Sequence, residues 1–273
     1  MTDAYFTRSQ GSEAPESGPR TWVSATFDAD RATGGPWAPG LQHGGPPGAL
    51  LVLVAEQVAA EHTGRSDLVA LRLAAEFIRP VPVAEVTVTA EIVRVARTAV
   101  LVDVSLTAAG TVCLHGRVWL VRVADTSAIA PAVGTEVQPP TGLAELNGGF
   151  PYADSLEWRV VHGGLREQGP GAVWGRPSRD IVAGIPLTGL QRAVLVADSS
   201  SGISSELDWT VWSFVNVDLD VHLARPLQGD WVLLDAVTQL GPAGSALTRS
   251  TISDVRGAVG ASLQTLVVEP MRS

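Results

Sequence analysis

One long apolar helix signal followed by four strand-like runs occurs twice in this chain, and that doubled order constrains the fold more than any other feature. Residues 48–61 (GALLVLVAEQVAAE) follow Gly44-Gly45-Pro46-Pro47, a helix-start signal, and are apolar on nearly every side, which predicts a buried helix. Four runs rich in Val, Leu and Thr come next, at 68–78, 85–95, 99–108 and 111–123. Arg79-Pro80-Val81-Pro82, Ala96-Arg97-Thr98 and Gly110 separate them, as short turns separate the strands of an antiparallel meander. Residues 21–27 read as one further strand ahead of the helix.

Prolines and glycines (Pro131, Pro139, Pro140, Gly142, Gly148, Gly149, Pro151) then interrupt the pattern, as a linker would. After them the order returns. Short strands at 156–161 and 172–175 precede an apolar helix at about 187–198 and strand-like runs at 209–223, 231–239, 246–253 and 258–268. Local strings echo as well: Leu53-Val54-Ala55-Glu56 resembles Leu195-Val196-Ala197-Asp198, and Arg79-Pro80 resembles Arg225-Pro226. A tandem repeat follows. The expected layout is a flexible tail at 1–20, a first domain at 21–124, a linker at 125–155 and a second domain at 156–273, α+β in class.

Composition removes several chemistries. Of 273 residues, 19 are basic, and all 19 are arginine. Without lysine there is no Schiff base, no pyridoxal-phosphate anchor and no phosphate-loop or kinase lysine. The single cysteine, Cys113, cannot build a disulfide framework or a multi-cysteine zinc site. A net charge of -9 argues against nucleic acid and anionic membranes as partners. The N-terminal residues lack the pattern of a signal peptide, and the longest apolar stretch is too short for a membrane span. A cytoplasmic protein without cofactor or metal is expected.

An antiparallel sheet wrapped around a long apolar helix, occurring twice, is the double hotdog layout. The second half resembles the acyl-CoA thioesterase II family and its thioesterase-like relatives. The residues that carry the likeness are Ala197-Asp198 at a helix end, the string from Asn216 to Pro226 (NVDLDVHLARP) with Gly229-Asp230-Trp231 after it, and Ala261-Ser262-Leu263-Gln264. The resemblance implies hydrolysis of an acyl thioester by direct attack of water. A helix Asp, a strand Thr or Ser and a last-strand Gln would hold and activate that water; these positions fall on Asp198, Asn216 and Gln264. Asn216 departs from the family's hydroxyl, with different donor geometry. An acyl-CoA or related thioester is the implied partner, and a homo-oligomer is expected.

The residues read in their own right leave alternatives. Asp198 fits a desolvated carboxylate that deprotonates water, or a helix-terminal residue bonded locally to Ser199–Ser201. Glu56 is its counterpart in the first copy and fits a paired or partly exposed helix carboxylate, or, by likeness to some single-hotdog thioesterases, a nucleophile or base. His43, Gly44 and Gly45 precede the first helix, where glycines would let a substrate carbonyl reach backbone N–H groups. Strand alternation places Asn216, Asp218, Asp220 and His222 on one face. The last three could be drawn as a metal site, although neighbours on one strand converge poorly on an ion. Arg79, Arg94, Arg97, Arg225, Arg249 and Arg256 form the pool from which CoA phosphates could be held. A Gly-x-Ser-x-Gly elbow is absent, as is the Asp-x-Asn-Pro-x-His string of hotdog hydratases. A non-catalytic acyl-CoA-binding module and an enoyl-CoA hydratase-like enzyme are the competing readings.

Overall fold

A computed structural model describes residues 4–9, 21–130, 137–165 and 167–271. The first half contributes β1 (Ala4–Arg8), β2 (Trp22–Ala29), α1 (Gly45–Thr63), β3 (Leu68–Phe77), β4 (Glu85–Val95), β5 (Ala99–Ala108) and β6 (Thr111–Arg122). After the connecting segment, which carries β7 (Ala144–Glu145), come β8 (Leu156–His162), β9 (Gly171–Pro177) and β10 (Asp180–Val182). The second helix α2 (Gly189–Ala197) and a single turn α3 (Ser200–Ile203) follow. The chain closes with β11 (Trp212–Asn216), β12 (Asp218–Leu223), β13 (Val232–Leu240), β14 (Ser245–Asp254) and β15 (Gly257–Pro270).

The strands form one continuous sheet in the order β10-β1-β2-β4-β5-β6-β3-β12-β15-β14-β13-β9-β8-β7, with β11 pairing β15 off this path. Around the β3–β12 junction the order is mirrored: β6, β5, β4 and β2 on one side answer β15, β14, β13 and β9 on the other. The repeat seen in the sequence thus becomes a pseudo-two-fold relation, with β3 and β12 antiparallel at its centre (Ala74 opposite Asp220). The protein is dominated by sheet, more than the expected α+β balance, because the helical content of each half is concentrated in one main helix.

The core lies between the sheet and the two helices. Ala49 through Ala55 of α1 are all buried, as are Ala193 through Ala197 of α2, and the helices pack against each other. In β5 the burial alternates strictly, with Val100, Val102, Val104 and Leu106 inward, the period of a strand with one covered face. Each such buried Leu or Val contributes roughly 1.5–3 kcal/mol.

Three expectations change. Residues 4–8 belong to the region read as a flexible tail, yet they form β1, which pairs with β2 and runs parallel to β10. Tyr5 and Phe6 supply the reason: both are buried, and the Tyr5 hydroxyl meets Ser155 Oγ at 2.8 Å. Residues 10–20 of that tail lie outside the described residues. The segment read as a linker does more than connect, since its Gln138 carbonyl accepts from Trp174 Nε1 at 2.8 Å. The run at 209–223, read as one strand, breaks at Val217 into β11 and β12. That break shifts the side-chain phase, so Asn216 lies on the covered side with Phe214 while Asp218 turns outward. The predicted common face of Asn216 with Asp218, Asp220 and His222 is therefore not formed. Among the described residues no group of three or more potential ligands could hold a metal.

Candidate active site

The two helices run so that the start of α1 meets the end of α2. Asp198 caps the C-terminus of α2 and is 4% exposed. Its Oδ2 lies 2.8 Å from His43 Nδ1, and its Oδ1 accepts from Asn216 Nδ2 at 2.9 Å and from Gln264 Nε2 at 3.3 Å. Gly45 N–H donates toward His43 Nδ1 at 3.3 Å and also acts on the same carboxylate; the 2.8 Å approach of Nδ1 to Asp198 Oδ2 is the shorter contact. A carboxylate only accepts, so the His43 hydrogen is assigned to Nδ1, facing Asp198. Burial pushes the Asp198 carboxyl upward. The opposing influences of the His43 charge and of hydrogen bonds from His43, Asn216 and Gly45 outweigh it and hold the group below the usual carboxylate range.

Close approach explains the glycines ahead of α1. A Cβ on Gly44 would fall 2.5 Å from the Phe77 ring and 2.9 Å from Asp198 Oδ2, and one on Gly45 would fall 2.7 Å from the Tyr152 hydroxyl. Pro46 and Pro47 have no N–H, and Gly48 N–H already bonds Gly44 carbonyl oxygen. In this first turn the Gly44 N–H is the donor left without a partner among the described residues.

His43 is held as a plate. Its ring stacks on Tyr152 with centroids 4.2 Å apart and on Phe150 at 6.0 Å, while the Tyr152 hydroxyl donates to the Leu195 carbonyl at the end of α2. Burial, with Tyr5 and Asp198 nearby, raises the Tyr152 phenol well above its ordinary range, so it stays a neutral donor. Gln264 is fully buried behind the cluster: its amide reaches Asp198, and its oxygen accepts from Ser201 N–H at 3.2 Å.

His43, Gly44, Asp198 and Asn216 open onto a cavity of about 280 Å³. Trp37, Phe77, Trp209 and Phe214 form much of its apolar wall, with Trp37 stacked on Trp209 and edge-on to Phe214. A wider recess of about 630 Å³ shares Phe150, Leu165 and Trp209 with it and has Glu167 and Asp208 on its own lining. Arg79 lines the first cavity and donates to the Val112 carbonyl. Arg225 is instead engaged by the buried Asp254, with Nη2 2.9 Å from Oδ1, and so leaves the pool of phosphate-binding arginines.

Glu56 lies at the other end of the helix pair. Its Oε2 accepts from Gln191 Nε2 at 2.6 Å and Thr188 Oγ1 at 3.3 Å, the two side chains that cap α2. Burial pushes its carboxyl up to about 7, against those two hydrogen bonds.

Two family profiles match the sequence. The one described as the acyl-CoA thioesterase N-terminal domain covers residues 33–121, and the one described as the C-terminal domain covers residues 131–268. The chain belongs to the acyl-CoA thioesterase family. Its fold is that of hotdog thioesterases, in the two-domain arrangement of this family. Similar solved structures include a candidate thioesterase from Novosphingobium aromaticivorans, 20% identical with a TM-score of 0.71 over 96% of this chain and 98% of that one. An acyl-CoA thioesterase II, TesB2, from Mycobacterium marinum is 16% identical with a TM-score of 0.69 over 96% of each chain. A hot dog fold protein of unknown function from Alicyclobacillus acidocaldarius is 14% identical with a TM-score of 0.71 over 96% of each. No curated protein matches the chain. Among the described residues no helix is long and apolar enough to cross a membrane.

The structure brings Asp198, Asn216, Gln264, His43, Gly44 and Gly45 into one cluster. Sequence reasoning did not find Phe150 and Tyr152, which stack on His43 from within the segment read as a linker. The available signal was two aromatics set beside Pro151 in a stretch otherwise rich in Gly and Pro, in a chain that is only 5% aromatic. Nor did it find the wall of Trp37, Trp209 and Phe214, which meets only in the folded chain.

Proposed function

We propose that this family member hydrolyses an acyl-CoA or related acyl thioester by direct attack of water in the aromatic-walled cavity. The observation that carries the reading is the buried Asp198 carboxylate at the meeting point of the two helices, held by His43, Asn216, Gln264 and Gly45 and open to the cavity. Asp198 supplies the negative charge that organises the donors around it. Asn216 gives Nδ2 to Asp198 and leaves its carbonyl oxygen to hold the water, so the amide serves where the family uses a hydroxyl. Gln264 acts from behind, fixing Asp198 to the turn of α3.

The Gly44 N–H, near the positive end of α1, would receive the oxyanion that develops on the thioester carbonyl. The acyl group packs against Trp37, Trp209 and Phe214, and the phosphates of CoA take the side marked by Arg79, away from Glu167 and Asp208. Release of free thiol from a panel of short, long, branched and aromatic acyl-CoAs tests the reading. Turnover of at least one class is expected, and tight binding without thiol release across the whole panel would refute it.

A further inference from the structure

We propose that His43 is the proton carrier of the hydrolysis, resting on the function proposed above: Nε2 takes a proton from the attacking water and returns it to the departing sulfur, while Asp198 holds the ring. Its geometry is that of a histidine oriented by a buried carboxylate. With Nδ1 2.8 Å from Asp198 Oδ2 and carrying the hydrogen, the neutral ring keeps its acceptor lone pair on Nε2. No described residue hydrogen-bonds Nε2, and the imidazole forms part of the cavity lining. Stacking on Tyr152 and Phe150, with interplanar angles of 18° and 23°, fixes the plane of the ring in advance of the reaction.

Asp198 is poorly suited to take the proton itself. A carboxylate offers about four lone-pair directions. Here three side-chain donors, His43 Nδ1, Asn216 Nδ2 and Gln264 Nε2, take up most of them, and Gly45 N–H, aimed at His43 Nδ1, also acts on the carboxylate. The groups facing His43 are Asp198 at the end of α2, Tyr152 and Phe150 from the connecting segment, and the Gly45 backbone of α1. Of these, Asp198 is the charged one.

The step balances without a co-reactant. Water oxygen bonds to the thioester carbon as one water proton moves to Nε2, which gives a tetrahedral oxyanion and an imidazolium facing Asp198. Collapse re-forms the carbonyl and breaks the C–S bond, whose electron pair leaves on sulfur. The Nε2 proton passes to that sulfur, so the products are a carboxylic acid and free CoA thiol, and the ring is neutral again.

The test uses the full chain and the acyl-CoA that the panel shows to be cleaved fastest. His43→Ala should lower kcat on the order of 10²–10⁴-fold while KM changes less than about threefold, the range for loss of a general acid–base. Added imidazole should restore turnover, and the restored rate should rise with the neutral fraction of imidazole as pH increases. His43→Gln can still donate to Asp198 and pack between the aromatic rings, so it guards against a folding failure of the alanine variant and should be equally slow. A His43→Gln enzyme within a few-fold of wild-type kcat, or rescue that follows imidazolium, overturns the assignment while the thioesterase reading stands. A wild-type chain that cleaves no member of the panel removes both.

Discussion

Replacing Asp198 by asparagine changes one atom and sets every neighbour at odds. The carboxylate receives hydrogens from His43, Asn216 and Gln264, with Gly45 N–H close by. An amide has one accepting oxygen and one donating nitrogen. If its NH2 faces His43, the imidazole must accept on Nδ1 and carry its hydrogen on Nε2, the wrong tautomer for a base. If its oxygen faces His43, its NH2 points at the NH2 groups of Asn216 and Gln264. Either way at least one buried donor loses its partner, a cost of about 1–3 kcal/mol. For a chain of this size that corresponds to a fall in Tm of roughly 2–10 °C. The loss should depend on pH in a definite direction. Because the native carboxyl is held below its unfolded value, its stabilisation is complete above the unfolded carboxylate pKa and is lost as pH falls through the lower folded value. The gap in Tm between wild type and Asp198→Asn should therefore narrow on acidification. Thiol release should fall on the order of 10²–10⁴-fold in kcat in a variant that remains folded at the assay temperature. Near-normal kcat in Asp198→Asn would refute the placement of the chemistry at this carboxylate, whatever the Tm.

Three further outcomes follow from the same contacts. Gln264→Ala removes the link between Asp198 and Ser201 N–H and leaves a void in the buried cluster, so most turnover should be lost while circular dichroism keeps the wild-type sheet signature. Glu56 carries a carboxyl raised by burial to about 7, so stability should decline as pH rises from about 5 to 8, by up to roughly 3 kcal/mol; chemical denaturation should show that decline in the wild type and a flatter profile in Glu56→Gln. Arg79→Ala should raise KM for acyl-CoA several-fold with little change in kcat, and should weaken the dependence of KM on salt, if this arginine meets the phosphates.

Much of the architecture was legible because it is written in periodicity. The strands β4, β5 and β6 lie where alternation placed them, α1 covers the apolar run expected at 48–61, and α2 lies within the one expected at about 187–198. The cluster around Asp198 was partly legible because the strings at Asp198 and Gln264 carry a family likeness. What could not be read depends on contacts between distant segments. The phase change at Val217 arises because Val217 N–H bonds Thr265 while its carbonyl accepts from Phe77 N–H, a three-strand meeting that no local window contains. Tyr152 reaches His43 only because its hydroxyl is anchored to Leu195. Likewise, Arg79 and Arg225 look alike as Arg-Pro turns, and only the buried Asp254 beside one of them separates a structural guanidinium from one at the cavity.

The pseudo-two-fold fold creates two equivalent places for a carboxylate, and the helix starts decide which becomes a site. Asp198 and Glu56 each lie near the first turn of the opposite helix. At Glu56 that turn begins with Thr188 and Gln191, which cap each other's backbone and also reach across to the carboxylate. At Asp198 the turn is Gly44-Gly45-Pro46-Pro47. The glycines carry no side chain to cap or fill, and the prolines remove two N–H groups that would otherwise seek partners. The result is a carboxylate beside a histidine, a Gly44 N–H without a partner among the described residues, and an open cavity. The repeated fold supplies the scaffold twice; a helix start that cannot cap itself leaves one of its two carboxylates beside an open cavity.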